Sequence, residues 1–138
     1  MSVTQILVVD AFLPWQRLVL EMLQSEIDLQ IVSTANGFEA VLKAKEVQPG
    51  LILMGLSLPG MNGIDATRQI RILSPGSKVL FLSEHRDSGL IQAALDVGAS
   101  GYVLKSDSHS DLIPGIRAVL LGQQFVSRSL TKWRENPR

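Results

Sequence analysis

The sequence contains no cysteine. Disulfides, thiolate metal ligands and cysteine nucleophiles are therefore excluded. It has no net charge either, with 13 basic and 13 acidic side chains among 138 residues. That balance argues against a strongly basic nucleic-acid surface and against a partner held by bulk acidity. Aromatic residues are scarce, at 5%, with a single tyrosine, Tyr102. No glycine-rich loop of the G-x-x-x-x-G-K-S/T or G-x-G-x-x-G kind occurs, so nucleotide binding has no support. Met1-Ser2-Val3-Thr4-Gln5 lacks the basic and apolar regions of a signal peptide. Val47 to Ile64 carries no charge, but two prolines, four glycines and Asn62 interrupt it. It also falls short of the roughly 20 apolar residues that a spanning helix needs. No membrane contact is expected, and a cytoplasmic setting is the default.

What the chain does have is apolar side chains, 46% of the total against 19% charged, enough for one globular core. These fall into short runs separated by helical stripes. Ile6 to Val9, Leu29 to Ala35, Leu51 to Met54, Val79 to Leu82 and Tyr102 to Leu104 read as strands, continuous enough to be buried on both faces. Between and after them come helical patterns whose inward stripes are Trp15, Leu18, Val19, Met22 and Leu23; Phe38, Val41 and Leu42; Ala66, Ile70 and Leu73; Ile91, Ala94 and Leu95; and Ile113, Ile116 and Leu120. Pro14 suits the start of the first helix and Pro114 the first turn of the last, where a missing N–H costs nothing. Asp107, Ser108 and Ser110 offer caps for that last helix. Gly98 reads as the cap closing the fourth. Strand–helix alternation predicts an α/β domain, a doubly wound parallel sheet in three αβα layers with right-handed crossovers. Ser127 to Arg138 is polar and reads as a frayed tail, giving a domain over 1–127 and a flexible tail over 128–138.

The stretch Pro49-Gly50-Leu51-Ile52-Leu53-Met54-Gly55-Leu56-Ser57-Leu58-Pro59-Gly60-Met61-Asn62-Gly63 resembles the central strand and loop of bacterial two-component receiver domains. There a pattern like P-D-L-I-L-L-D-x-x-M-P-G-M-x-G carries the phosphate-accepting aspartate. Both aspartate positions are glycine here, Gly50 and Gly55. The resemblance spans about Gln5 to Ser127. It implies a flavodoxin-like (βα)5 fold with strand order 2-1-3-4-5. It also implies a pocket at the carboxyl edge of the sheet, where such folds bind ligands. The family places two acids after strand one for Mg²⁺, the acceptor after strand three, a hydroxyl after strand four and a lysine after strand five. This chain matches with Asp10, Ser83 and Lys105, but has Ala11 for the second acid and Gly55 for the acceptor.

Glycine supplies no nucleophile, so phosphorylation at position 55 is excluded and no enzymatic activity is expected. With Asp10 the one remaining carboxylate, Mg²⁺ binding should be weak or absent and no other cofactor is implied. Asp10 should pair directly with Lys105. Gly98-Ala99-Ser100-Gly101-Tyr102-Val103-Leu104-Lys105 is similar to the subgroup often fused to a LuxR-type helix-turn-helix domain. By the same resemblance Tyr102 occupies the position of a switch aromatic. The face of helix four, strand five and helix five, with Leu90, Ala94, Asp96, Lys105, Asp111 and Arg117, would bind a second copy or another protein. A histidine kinase or an output protein is the implied partner, without direct nucleic-acid contact. Alternatives are a phospho-switch on Ser57 or Ser83, and a DNA-binding regulator whose output domain lies outside this chain. A flavodoxin-like enzyme is a third, without a visible cofactor loop or nucleophile–base pair.

Outside the family frame, the same residues have plainer readings. Gly55 is then a turn glycine, Asp10 a turn or capping residue, Ser83 a loop cap and Lys105 a solvated lysine. Tyr102 reads equally as a half-buried strand aromatic. His85 and His109 show no serine or cysteine partner at triad spacing and read as surface loop residues. Lys132-Trp133-Arg134 reads as part of a solvated end.

Overall fold

The computed structural model describes residues 4–24 and 29–130. Strands and helices alternate as β1 (Thr4–Val9), α1 (Leu13–Gln24), β2 (Leu29–Thr34), α2 (Gly37–Val47), β3 (Leu51–Met54), α3 (Gly63–Leu73), β4 (Lys78–Ser83), α4 (Ser88–Asp96), β5 (Gly101–Leu104) and α5 (Ser108–Leu120). A 3₁₀ turn, Lys105–Asp107, leads into α5, and a short strand β6 (Phe125–Val126) follows it. The sheet is parallel throughout, in the order β2-β1-β3-β4-β5-β6. The expected order holds for the first five strands. The sixth was not expected, because two residues are too few for a hydrophobic run to register.

Alternation along each strand sorts the core into two layers. Leu7, Val9, Ile52, Met54, Phe81, Tyr102 and Leu104 face α2, α3 and α4, which contribute Ala40, Ala44, Ala66, Ile70, Ile91 and Ala94. Ile6, Val8, Leu51, Leu53, Leu80 and Val103 face α1 and α5, which contribute Val19, Leu23, Leu112, Ile116 and Val119. A helix lying on a sheet buries only a narrow stripe, and several expected core residues fall outside it. Leu18, Phe38, Leu42, Leu73 and Leu120 are exposed, because Val19, Ala40, Val41, Ala44, Ile70 and Val119 take the inward positions.

The helix starts sit where the site needs them. Asn36 and Asn62 cap α2 and α3 through side-chain oxygens that accept from Glu39 N and Asp65 N. Gly98 (φ +108°) closes α4 as expected. The last helix differs. Asp107 precedes it without a side-chain capping bond, and Pro114 lies inside the helix rather than in its first turn. The helix starts earlier than the proline signal suggests because the 3₁₀ turn runs straight into it.

Candidate functional site

β1, β3, β4 and β5 all end at one edge, and their last residues bring Asp10, Gly55, Ser83 and Lys105 to a common cleft of about 110 Å³. Ala11, Phe12, Leu56, Ser57, Glu84 and His85 complete its lining. The four residues matched by position to the receiver pocket are thus together.

Asp10 is buried and has a partner on each carboxylate oxygen. Oδ1 accepts the Phe12 amide at 2.9 Å, tying down the turn into α1. Oδ2 meets Lys105 Nζ at 2.8 Å, with the two side chains 9% and 21% exposed. Turn residue and pocket residue are therefore both correct descriptions of Asp10. The Lys105 ammonium also lies 5.1 Å from the centroid of the Trp15 ring, a cation–π contact that the core-residue reading of Trp15 missed. Gln16, buried one residue further on, donates to the carbonyls of Asp10 at 2.6 Å and Thr34 at 2.7 Å, fastening the ends of β1 and β2.

Gly55 is not one of the glycines with positive φ, which are Gly60, Gly98 and Gly122 among the described residues. The plain reading of Gly55 as a glycine needed for positive φ or close backbone approach therefore holds only in its second half. Space is what is tight: a Cβ there would stand 3.0 Å from the Val9 carbonyl oxygen, 3.3 Å from Leu58 Cδ2 and 3.5 Å from Asp10 Oδ2. Behind it, Gly63 packs so close to the Gly55 carbonyl that no side chain could enter without moving backbone. Gly50, at the second aspartate position of the motif, is half-buried and holds the start of β3 through its amide to Gln5 O at 3.0 Å.

The opposite wall is a chain of contacts through His85. Its amide donates to Ser83 Oγ at 3.0 Å, its carbonyl accepts from Tyr102 Oη at 2.8 Å, and its Nε2 lies 2.9 Å from Ser57 Oγ. His85 thus has a serine partner that its spacing in the sequence does not show. Ser57 lies 28 residues earlier, and only the convergence of two strand-end loops brings the two together. Tyr102 is fully buried, not half-buried, and stacks on Phe81 at 6.2 Å. Burial pushes its phenol pKa up, the Ser83 hydroxyl opposes that, and the Asp87 carboxylate adds to it. His109 is exposed on α5.

The expected interaction face is only partly available. Asp96 and Arg117 are exposed and Leu90 is half-buried, but Ala94 is fully buried under α4. Asp111 is buried too, its carboxylate accepting the Arg128 amide at 3.0 Å and the Ser110 hydroxyl at 3.1 Å. Ala94 and Asp111 offer no surface, because inward packing and a carboxyl-terminal segment use them. That segment corrects the tail expectation over its first residues. Ser127 is fully buried and Leu130 joins the core layer of α2 to α4. Residues 131–138, with Lys132-Trp133-Arg134, lie outside the described residues.

Comparison with known proteins agrees with this geometry. The family model described as the response regulator receiver domain matches residues 6–117. The transcriptional regulatory protein LnrK of Bacillus subtilis is 37% identical over 119 residues, 82% of this chain and 54% of that protein. The response regulator protein VraR of Staphylococcus aureus is 37% identical over 114 residues, 81% of this chain and 54% of that protein. A two-component response regulator of the LuxR family from Aurantimonas superposes with a TM-score of 0.89 at 30% identity, covering 95% of this chain and 94% of its own. The chain spans about half the length of the curated relatives it matches.

Proposed function

This chain belongs to the response regulator receiver family of two-component signalling, and from that membership we propose an atypical receiver, one that works by protein contact without taking phosphate on β3. The observation that carries this reading is Gly55 at the end of the central strand, with Asp10 and Lys105 already paired across the cleft beside it. Phosphoryl transfer needs a nucleophilic oxygen where glycine has none. The donor set does not suit Mg²⁺ either. Both Asp10 oxygens already have partners, Ala11 and Gly55 add no carboxylate, and no cluster of three or more His, Asp or Glu side chains among the described residues could hold a metal. A resting ion pair takes the place that charge compensation by metal and phosphate would occupy.

On this reading the chain is a binding module rather than an enzyme. Its partner is a second copy, a kinase or an output protein, reached through the exposed part of the α4–β5–α5 face around Leu90, Asp96 and Arg117. Tyr102, held inward by His85, would be fixed rather than switching. The relatives named as transcriptional regulators support a place beside a DNA-binding output, in a longer protein or on another chain. No helix among the described residues is long and apolar enough to cross a membrane, and the family's usual setting is the cytoplasm.

The test is Gly55→Asp with Ala11→Asp, titrated with Mg²⁺ and acetyl phosphate and followed by intact mass. We expect the unaltered chain to stay unmodified and the double variant to gain metal binding and an acyl phosphate labile to mild base. Phosphorylation of the unaltered chain would overturn the reading. The Ser57–His85 contact favours one second reading, a base-stable phosphate on Ser57. A modification of the unaltered chain that survives mild base and disappears in Ser57→Ala would establish it.

A further inference from the structure

Three consecutive residues after β6 grip the loop that carries Lys105. Ser127 Oγ accepts the amide of Leu104 at 2.8 Å, and the Ser127 amide donates to the Tyr102 carbonyl at 2.9 Å. Arg128 donates its own amide to the Asp111 carboxylate at 3.0 Å. The Ser129 hydroxyl donates to Asp107. Leu104 immediately precedes Lys105, Asp107 ends its 3₁₀ turn, and Asp111 sits in the first turn of α5. The grip therefore straddles the lysine on both sides. Its inner contacts are dry, with Ser127 and the Asp111 side chain almost wholly buried.

From this we infer that Ser127-Arg128-Ser129 is a clasp that couples the position of Lys105 to the segment following β6. Lys105 closes the cleft through Asp10 and leans on Trp15, so its loop has a defined place only while both flanks are held. Asp107, which makes no capping bond to α5, gives a side-chain oxygen to this clasp instead. A displacement of residues 127–129 loosens Leu104 and Asp107 together and frees the lysine. By reciprocity, losing the Asp10–Lys105 pair weakens the clasp by the same factor. The inference needs neither phosphate nor metal, and it stands whatever the acceptor chemistry proves to be.

The experiment uses the full chain with Trp133→Phe, which leaves Trp15 as the one indole reporting on the nearby ammonium. Ser127→Ala is expected to shift Trp15 emission and to raise amide exchange of Lys105 to Asp107 several-fold. In the other direction, Lys105→Met is expected to raise exchange at Ser127 and Arg128 several-fold. If Ser127→Ala does not fold, Ser129→Ala at its exposed position is read the same way with a smaller shift. Faster exchange confined to residues 125–130, with Trp15 emission and Lys105 to Asp107 unchanged, would overturn the coupling and leave a packing role only.

Discussion

Among the described residues two aspartates are buried, and their charges are met in different ways. Asp10 faces Lys105 at 2.8 Å across a cleft that shields both side chains. Asp111 faces the Arg128 guanidinium at 3.5 Å, but that arginine is 67% exposed, and the closer partners are a backbone amide and a hydroxyl. The first carboxylate is met by a shielded ammonium beside one backbone amide, the second chiefly by hydrogen bonds. In a shielded cleft a charge loses little to water, whereas an arginine held in solvent gives back most of its attraction through screening and side-chain entropy. Both contacts lie at the same carboxyl end of β5, one across the cleft through Lys105 and the other behind it on the first turn of α5.

Removing Lys105 should produce the largest effect. Lys105→Ala leaves Asp10 shielded and unpaired, and we expect a loss of about 2 kcal/mol, below the roughly 3–5 typical of a fully buried pair because the cleft is open. Urea denaturation checks it, and a loss near zero would make the two aspartates equivalent. Asp111→Asn comes next. It keeps an acceptor but weakens the bonds from Arg128 and Ser110, at about 1 kcal/mol by the same measurement. A loss larger than that of Lys105→Ala would reverse the ranking.

Tyr102→Phe deletes the bond to the His85 carbonyl, at roughly 1 kcal/mol, and also changes a pH dependence. The folded state favours the neutral phenol, so the stability it contributes is whole below the ordinary tyrosine value near 10.0 and is lost as pH rises through the raised folded value. Stability measured from neutral to strongly alkaline pH should fall less in Tyr102→Phe than in the unaltered protein. An identical fall would show that the phenol is not shielded. Arg128→Ala should matter least, at under about 0.5 kcal/mol, because the backbone amide stays in place. A larger loss would mean that the guanidinium, not the amide, holds Asp111.

The strands and the residues at their ends were legible because buried parallel strands are apolar runs and their ends carry the chemistry, whereas the order of the first five came from the family resemblance, since periodicity alone fits any doubly wound fold. Asp10, Gly55, Ser83 and Lys105 could be named for that reason. The exposure of Phe38 and Leu42 was not legible: apolar side chains two steps off the inward stripe look the same in sequence as those on it. Ser57 with His85 and Trp15 with Lys105 are meetings between loops or elements far apart in the chain, which no local pattern reports. The clasp escaped notice because its signal is polar. Ser127, Arg128 and Ser129 look like any solvated end, and only the donors and acceptors waiting on Leu104, Asp107 and Asp111 give them a place. Asp111 looked like an exposed helix residue for the same reason.

The glycine ending β3 bears on how such a protein can be controlled. Where a carboxylate stands at that spot, activity can be dialled by a donor and reset by hydrolysis, independent of copy number. On the proposed reading, a chain that offers only hydrogen at the same spot keeps no phosphoryl record of past stimuli there. Its influence then scales with abundance and with competition for binding partners, so synthesis and degradation become its clock.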